Sequence, residues 1–115
     1  MQKMKAQFPD FIYQFPKITL PPGVEGNSNL LDAPQGQAVF HTIPKGQQIP
    51  LHTHKDSFSV LLSGHLEFTM GNDIQERVGP TFWFIPEDVP HKGNALADSL
   101  LIEFFCEKRF QPGVE

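Results

Sequence analysis

Cysteine, clustered basic charge and long hydrophobic runs are all scarce in this sequence of 115 residues. The single cysteine, Cys106, cannot form a disulfide within the chain. Nine Lys and Arg residues stand against thirteen Asp and Glu residues, without a basic cluster, so nucleic acid is not an expected partner. No apolar run approaches the ~18 residues of a membrane span, and the N-terminal residues lack the apolar segment of a secretory signal. We therefore expect a cytoplasmic protein without a membrane partner.

Turn-forming residues are abundant, with eleven prolines and nine glycines. They divide the chain into short apolar segments, which favours strands over long helices. Eleven phenylalanines supply bulky core material. We predict an all-β fold, an antiparallel barrel or sandwich, in which residues 1–36 are an arm and loop packed on the barrel or on a dimer partner, and residues 37–110 form the barrel. The predicted strands are residues 37–43, 49–54, 57–62, 65–70, 74–78, 81–85 and 100–106.

The central stretch is Gly46 to Gly64, which contains His52-Thr53-His54. In a strand, residues two apart point to the same face, so the two imidazoles would share one space. Buried histidines need partners for their ring nitrogens, and either a divalent metal or hydrogen bonds at a rim would supply them. A third ligand would favour the metal. His91 follows a proline-framed turn and could meet the other two across a rolled sheet.

These histidines resemble the two motifs of the cupin superfamily. Gly46, five residues, His52-x-His54 and then Gly64 resemble the first motif, and Ile85-Pro86-x-Asp88-x-x-His91 resembles the second. The resemblance covers residues 37–106. It implies a cupin double-stranded β-helix, a jelly-roll-like barrel of the RmlC-like kind. It also implies one divalent metal, with His52, His54 and His91 as ligands.

The sequence departs from the family pattern at the fourth ligand. The family's Glu or Gln would fall at Ser57, which is a poor ligand, and Asp56 could replace it only after a backbone shift. A three-histidine site with open positions is the expected result, and Zn, Ni, Fe and Mn are all candidates. The tight turn of the second motif has Asp88 in place of glycine, and Asp tolerates left-handed geometry better than most residues.

Two further histidines are weaker candidates. His41, in the predicted strand AVFHTI, could face the lumen as a ligand or catalytic group. His65 follows the Gly64 turn, and we expect it to be solvated.

The last predicted strand carries a carboxylate among apolar residues. Leu101, Glu103 and Phe105 share one face by the two-residue period. Glu103 could pair with Arg109 or Lys108, or lie at a rim. The functional alternative is a lumen-facing acid or base near the metal, with its pKa raised by desolvation.

The spacing of Glu103, Phe105 and Arg109 resembles that of the small cupins of pectin and alginate degradation, which convert unsaturated uronates to open-chain keto forms. This resemblance implies Glu103 and Arg109 as catalytic residues and a small-molecule substrate. The alternatives are a three-histidine iron dioxygenase acting on a small thiol or organic acid, and a non-catalytic metal- or ligand-binding module. A homodimer is expected, with the apolar arm of residues 8–20 crossing to the neighbour. Wall positions around the lumen or core are predicted for four aromatic residues: Phe82, Trp83, Phe84 and Phe105.

Overall fold

The computed structural model describes residues 6–20 and 23–111, and these form nine strands and one short 3₁₀ helix. The helix spans Asp10–Gln14. The strands are β1 (Asn27–Ala33), β2 (Gly36–Ile43), β3 (Gln48–His52), β4 (Ser57–Ser63), β5 (His65–Met70), β6 (Asp73–Val78), β7 (Thr81–Ile85), β8 (His91–Ala95) and β9 (Ser99–Phe105). No helix in these residues is long and apolar enough to cross a lipid bilayer.

Two antiparallel sheets face each other as a jelly-roll-like barrel. One sheet has the order β1-β2-β9-β4-β7, and the other has the order β3-β8-β5-β6. Inward-facing residues alternate with outward-facing ones, as in β7, where Trp83 and Ile85 are buried while Phe82 and Phe84 are exposed. The core between the sheets holds Ile43, Leu61, Leu66, Phe68, Trp83, Ile85, Ala95 and Leu101. The all-β prediction is confirmed.

Strand β1 lies inside the stretch for which we predicted only an arm and a loop. It pairs with β2 along its whole length, from Asn27 opposite Thr42 to Ala33 opposite Gly36. The polar residues that suggested a loop have partners here, because Asn29 is fully buried and its amide donates to the carbonyl of Phe15 at 2.9 Å. Pro21 and Pro22 belong to the stretch predicted as an arm and loop, and they lie outside the described residues. The division into arm and barrel stays a prediction.

The described part of the arm packs on the chain's own barrel. Phe8 and Ile12 are buried with Leu100, beside the half-buried Phe40 and Ile102. The Phe8 and Phe40 rings meet edge to face at 5.5 Å. Because the arm covers this part of the outer face of the five-stranded sheet, it does not itself account for a dimer.

A neighbouring part of the same outer face is left open and aromatic. Phe58, Phe82, Phe84 and Phe104, from β4, β7 and β9, are between 39% and 66% exposed; we call them the aromatic face. The Phe58 ring lies 5.6 Å from that of Phe82 and 6.3 Å from that of Phe104. Strand β7 is also an edge of its sheet, and exposed apolar edges favour association. The expected lumen or core wall positions are therefore wrong for Phe82 and Phe84, which point outward.

We expect two copies of the chain to associate through the aromatic face, since a two-fold contact pairs the same patch on both subunits. Light scattering at micromolar concentration should give twice the 13.0 kDa chain mass. Phe82→Lys, which places a charge in the contact, should return the mass to that of one chain. Ile74→Lys on β6 is the control, because Ile74 is similarly exposed on the other sheet. A wild-type mass of one chain, or a Phe82→Lys protein that remains dimeric, would contradict this.

Candidate metal centre and adjoining cavity

Three histidines meet at one end of the barrel. His52 ends β3, His54 lies two residues beyond it, and His91 opens β8 directly opposite His52. The ring centroids are 4.2 Å apart for His52 and His91, 4.5 Å for His54 and His91, and 5.3 Å for His52 and His54. One ligand atom from each residue lies within 4.8 Å of those from the other two. The three residues form a group that could hold a metal ion.

Strand β3 is shorter than the sequence suggested. It ends at His52, and its pairing with β8 is irregular between Ile49 and His52. His54 is therefore not brought beside His52 by the regular alternation of a strand.

Contacts between the two motifs position His54. The turn between β7 and β8 is joined to the segment after β3 by two hydrogen bonds. The Asp88 backbone N–H donates to the His54 carbonyl at 3.0 Å, and the Glu87 N–H donates to Asp56 Oδ1 at 2.8 Å. Asp88 has a φ of 64°, which confirms the left-handed turn expected of it. Asp56 supports the turn and is not a member of the histidine group.

The hydrogen bonds of the three rings leave the same nitrogen available on each. Nδ1 of His52 lies 2.6 Å from the Pro50 carbonyl, Nδ1 of His54 lies 2.7 Å from that of Lys55, and Nδ1 of His91 lies 2.9 Å from that of Val89. A carbonyl oxygen only accepts, so Nδ1 carries the proton and Nε2 carries the lone pair of a neutral ring.

The Nε2 atoms of His54 and His91 are buried without any partner. Buried polar atoms are rarely left unpaired. Neutral imidazole with a backbone-bonded Nδ1 is the usual form of a metal-ligating histidine. The donor set therefore fits a divalent metal.

Burial favours the neutral forms of His52 and His91. Desolvation lowers the pKa of His91 to about 4, and the charges that His52 and His54 carry when protonated add to the effect. Desolvation likewise lowers the pKa of His52. Because only the neutral ring can donate a lone pair, both shifts favour ligation near pH 7.

Small hydroxyl residues occupy the inner face of β4 near the histidines. Ser57, at the position of the family's fourth ligand, is buried, and its Oγ has no partner; the same holds for Ser59. Ser57 is paired with Phe105, whose ring packs edge-on against His54 at 5.2 Å. The inner face of β4 therefore supplies no carboxylate or amide at this position.

A cavity of about 240 Å³ adjoins the histidines, and His52 is part of its wall. Its polar wall residues include Ser28, His41, Glu103 and Arg109. The expectation that His41 could face the lumen is therefore confirmed, although His41 is not in the group that could hold a metal. The cavity places a carboxylate and a guanidinium beside the histidine group.

Several solved structures share this architecture. An RmlC-like cupin from Shewanella frigidimarina NCIMB 400 superposes with a TM-score of 0.75 over 94% of this chain and 95% of the other, at 20% identity. KdgF from Halomonas sp. gives 0.71 over 84% and 92%, also at 20% identity. A cupin superfamily protein from Desulfitobacterium hafniense DCB-2 gives 0.69 over 78% and 84%, at 12% identity. The chain has the cupin fold. No family model and no curated protein matches the sequence.

Within the cupin barrel, Glu103 pairs with a residue that we did not predict. His41 Nε2 lies 2.9 Å from Glu103 Oε1, and the two side chains are only 16% and 15% exposed. The suggested pairing with Lys108 or Arg109 is wrong. Lys108 binds Asp32 at 2.8 Å, and the Arg109 guanidinium lies over the rings of Phe105 and Phe110, 4.9 and 4.8 Å from their centres.

Glu103 is held as a carboxylate, so the expectation of a pKa raised by desolvation is wrong. Burial alone would raise its pKa, but the hydrogen bond from His41 and the charges that His41, His52 and His54 carry when protonated lower the pKa to about 2. Burial lowers the pKa of Arg109, and the charges of Glu103 and Glu107 oppose that shift. A guanidinium remains protonated in proteins. The cavity therefore contains the buried Glu103 anion and the Arg109 cation at neutral pH, and the Glu25 carboxylate also lines it.

His65 lies away from the histidine group. Its Nε2 is 2.6 Å from Glu76 Oε1, and both side chains are substantially exposed, at 32% and 68%. The pair agrees with the solvated position expected for His65. It also gives the chain an exposed His–Glu pair to compare with the shielded pair of His41 and Glu103.

Proposed function

We propose that this chain is a metal-dependent isomerase that opens the ring of an unsaturated uronate and converts it to the open-chain keto form. The observation that carries the proposal is the shared cavity, which His52, Glu103 and Arg109 all line. The spacing of Glu103, Phe105 and Arg109 and the structural likeness to KdgF from Halomonas sp. support it. The cavity volume of about 240 Å³ suits a single small sugar acid.

The histidines would hold one divalent ion through their Nε2 atoms, since their Nδ1 atoms are committed to backbone carbonyls. When bound, the ion would act as a Lewis acid toward a hydroxyl or carbonyl oxygen of the substrate. The absence of a carboxylate from the group in the described residues leaves room for a substrate oxygen.

The reaction transfers one proton and rearranges bonds within the substrate. Glu103 removes the proton of the anomeric hydroxyl, the hydroxyl carbon becomes an aldehyde, and its bond to the ring oxygen breaks. The ring oxygen is then part of an enolate. Glu103 returns the proton to the carbon end of the former double bond, which leaves a ketone. Atoms and charge balance without a co-reactant.

Arg109 is suited to bind the uronate carboxylate. Its guanidinium lies against Phe105 and Phe110, which limits its freedom before binding, and a planar guanidinium pairs with a carboxylate through two parallel hydrogen bonds. This contact would orient the sugar so that the anomeric hydroxyl faces Glu103.

The assay for this function is the loss of ultraviolet absorbance of an unsaturated galacturonate or guluronate monomer. The absorbance should fall faster with metal-loaded wild-type protein than in buffer alone. The same amount of His91→Ala protein, treated in the same way, should not accelerate the fall. Metal-loaded wild-type protein that accelerates neither substrate would refute the proposal.

A second candidate is a three-histidine iron dioxygenase. It is favoured by the same lack of a carboxylate in the histidine group, because a site of three neutral ligands also suits iron. Oxygen consumption with iron-loaded protein and a small thiol would identify it, and zinc or nickel as the resident metal would exclude it.

A further inference from the structure

Three side chains from three adjacent strands form a hydrogen-bonded chain beside the metal centre. Ser28 Oγ lies 2.7 Å from His41 Nδ1, and His41 Nε2 lies 2.9 Å from Glu103 Oε1. Ser28 is directly opposite His41 in the pairing of β1 and β2. Glu103 is opposite Val39, two residues from His41, in the pairing of β2 and β9. This diagonal spacing is within reach of long side chains.

The protons in this chain can be assigned from the chemistry of its groups. An ionised carboxylate only accepts, so His41 Nε2 carries a proton and donates it to Glu103. In the neutral ring Nδ1 then carries the lone pair, and the Ser28 hydroxyl donates to it. Ser28 is 3% exposed, so its hydroxyl depends on this partner. The described hydrogen bonds engage only Oε1 of Glu103, which leaves Oε2 for the cavity.

We propose that Ser28 and His41 are positioning residues for Glu103, with Ser28 selecting the ring form of His41 and His41 holding Oε1 so that Oε2 faces the substrate. This proposal rests on the proposed function for its kinetic consequences, but the hydrogen-bonded chain itself is independent of any substrate. His41 takes no part in the metal group and need not contact the substrate.

The charged groups around Glu103 set its response to the loss of His41. They are His41 on β2, His52 and His54 at the end of β3, His91 on β8, and Arg109 after β9. His41 supplies the hydrogen bond that opposes the effect of burial on the Glu103 carboxyl. Without it, Glu103 should bind a proton at higher pH.

The kinetic test compares His41→Phe, which removes the donor, with His41→Gln, which retains an N–H. His41→Phe should lower kcat by ~10- to 100-fold, the scale of a misplaced catalytic group. KM should change less than twofold, and the acid limb of the kcat–pH profile should move to higher pH. His41→Gln should recover most of kcat. His65→Phe is the matched control for an exposed His–Glu pair, and its kcat and pH profile should equal those of wild type.

The second measurement needs no substrate. In metal-loaded protein with ¹⁵N-labelled histidine, neutral His41 should carry its proton on Nε2, and Ser28→Ala should convert it to a mixture of both ring forms. A proton on Nδ1 in the wild type, an unchanged spectrum in Ser28→Ala, or an unshifted acid limb in His41→Phe would overturn the proposal. If the wild type turns over no uronate, the proposed function fails. The ¹⁵N result alone then decides whether Ser28, His41 and Glu103 are joined by the hydrogen bonds described above.

Discussion

Replacing His91 with alanine should lower the affinity for a divalent metal by more than about 100-fold. Loss of a residue that only hydrogen-bonds to a metal ligand typically lowers the metal affinity by ~10- to 100-fold. The effect should be larger here, because His91 Nε2 is itself a candidate ligand and is buried without another partner. Titration calorimetry with zinc chloride would measure the change. His65→Ala is the control, because His65 lies in an exposed pair with Glu76 and its loss should leave the affinity unchanged.

The affinity should also depend on pH in a direction set by the buried rings. Protons compete with the metal for Nε2, and desolvation lowers the pKa of His91 to about 4. Binding should therefore hold down to about pH 6 and be lost as the pH falls toward 4. Equal affinities for wild type and His91→Ala at neutral pH would show that the metal binds elsewhere.

Glu103→Gln should reduce turnover of the uronate by ~100-fold or more, the usual scale for losing a general acid or base. Glutamine keeps the shape of the side chain and still accepts from His41 Nε2–H, but it cannot take up the substrate proton. Metal content should be unchanged, because Glu103 is not in the histidine group. Stability should fall by no more than about 3 kcal/mol, the upper value for a hydrogen bond to a charged group.

Glu76→Gln is the matched control for this change, since Glu76 also accepts from a histidine but is 68% exposed. Kinetics should be measured on folded, metal-loaded protein, with stability followed separately by denaturant unfolding. If Glu103→Gln loses stability while turnover per folded molecule is retained, Glu103 is a structural partner of His41 and has no catalytic role.

Strands β4 to β7 and β9 could be predicted closely because local signals agree there, whereas β8 (His91–Ala95) was not among the predicted strands. β5 and β7 match their predicted bounds, His65–Met70 and Thr81–Ile85, since alternating apolar residues are bounded by turn residues. β1 could not be predicted, because Asn27, Ser28 and Asn29 are typical of turns. Their strand conformation depends on distant partners, such as the Phe15 carbonyl and His41.

For the candidate site, too, some features could be predicted from the sequence and others could not. The motif spacing placed His52, His54 and His91 together, and the structure does bring them together. The partner of Glu103 could not be found from sequence, because the pairing of β2 with β9 links residues 62 positions apart. The outward direction of Phe82 and Phe84 was also missed. Their large apolar side chains suggested core positions. In β7, however, the residues on either side of buried Trp83 point outward by the two-residue alternation. That alternation could have predicted their exposure from the sequence.

The central claim is that His52, His54 and His91 bind one metal, and anomalous X-ray scattering from crystals of metal-loaded protein tests it most directly. Data collected above and below the absorption edge of the bound metal should give one difference peak per chain, within bonding distance of the three Nε2 atoms. The peak should disappear in His91→Ala crystals grown and soaked in the same way. A peak at Nδ1 atoms, at His65 or elsewhere on the surface, or no peak in protein shown to contain metal, would contradict the assignment.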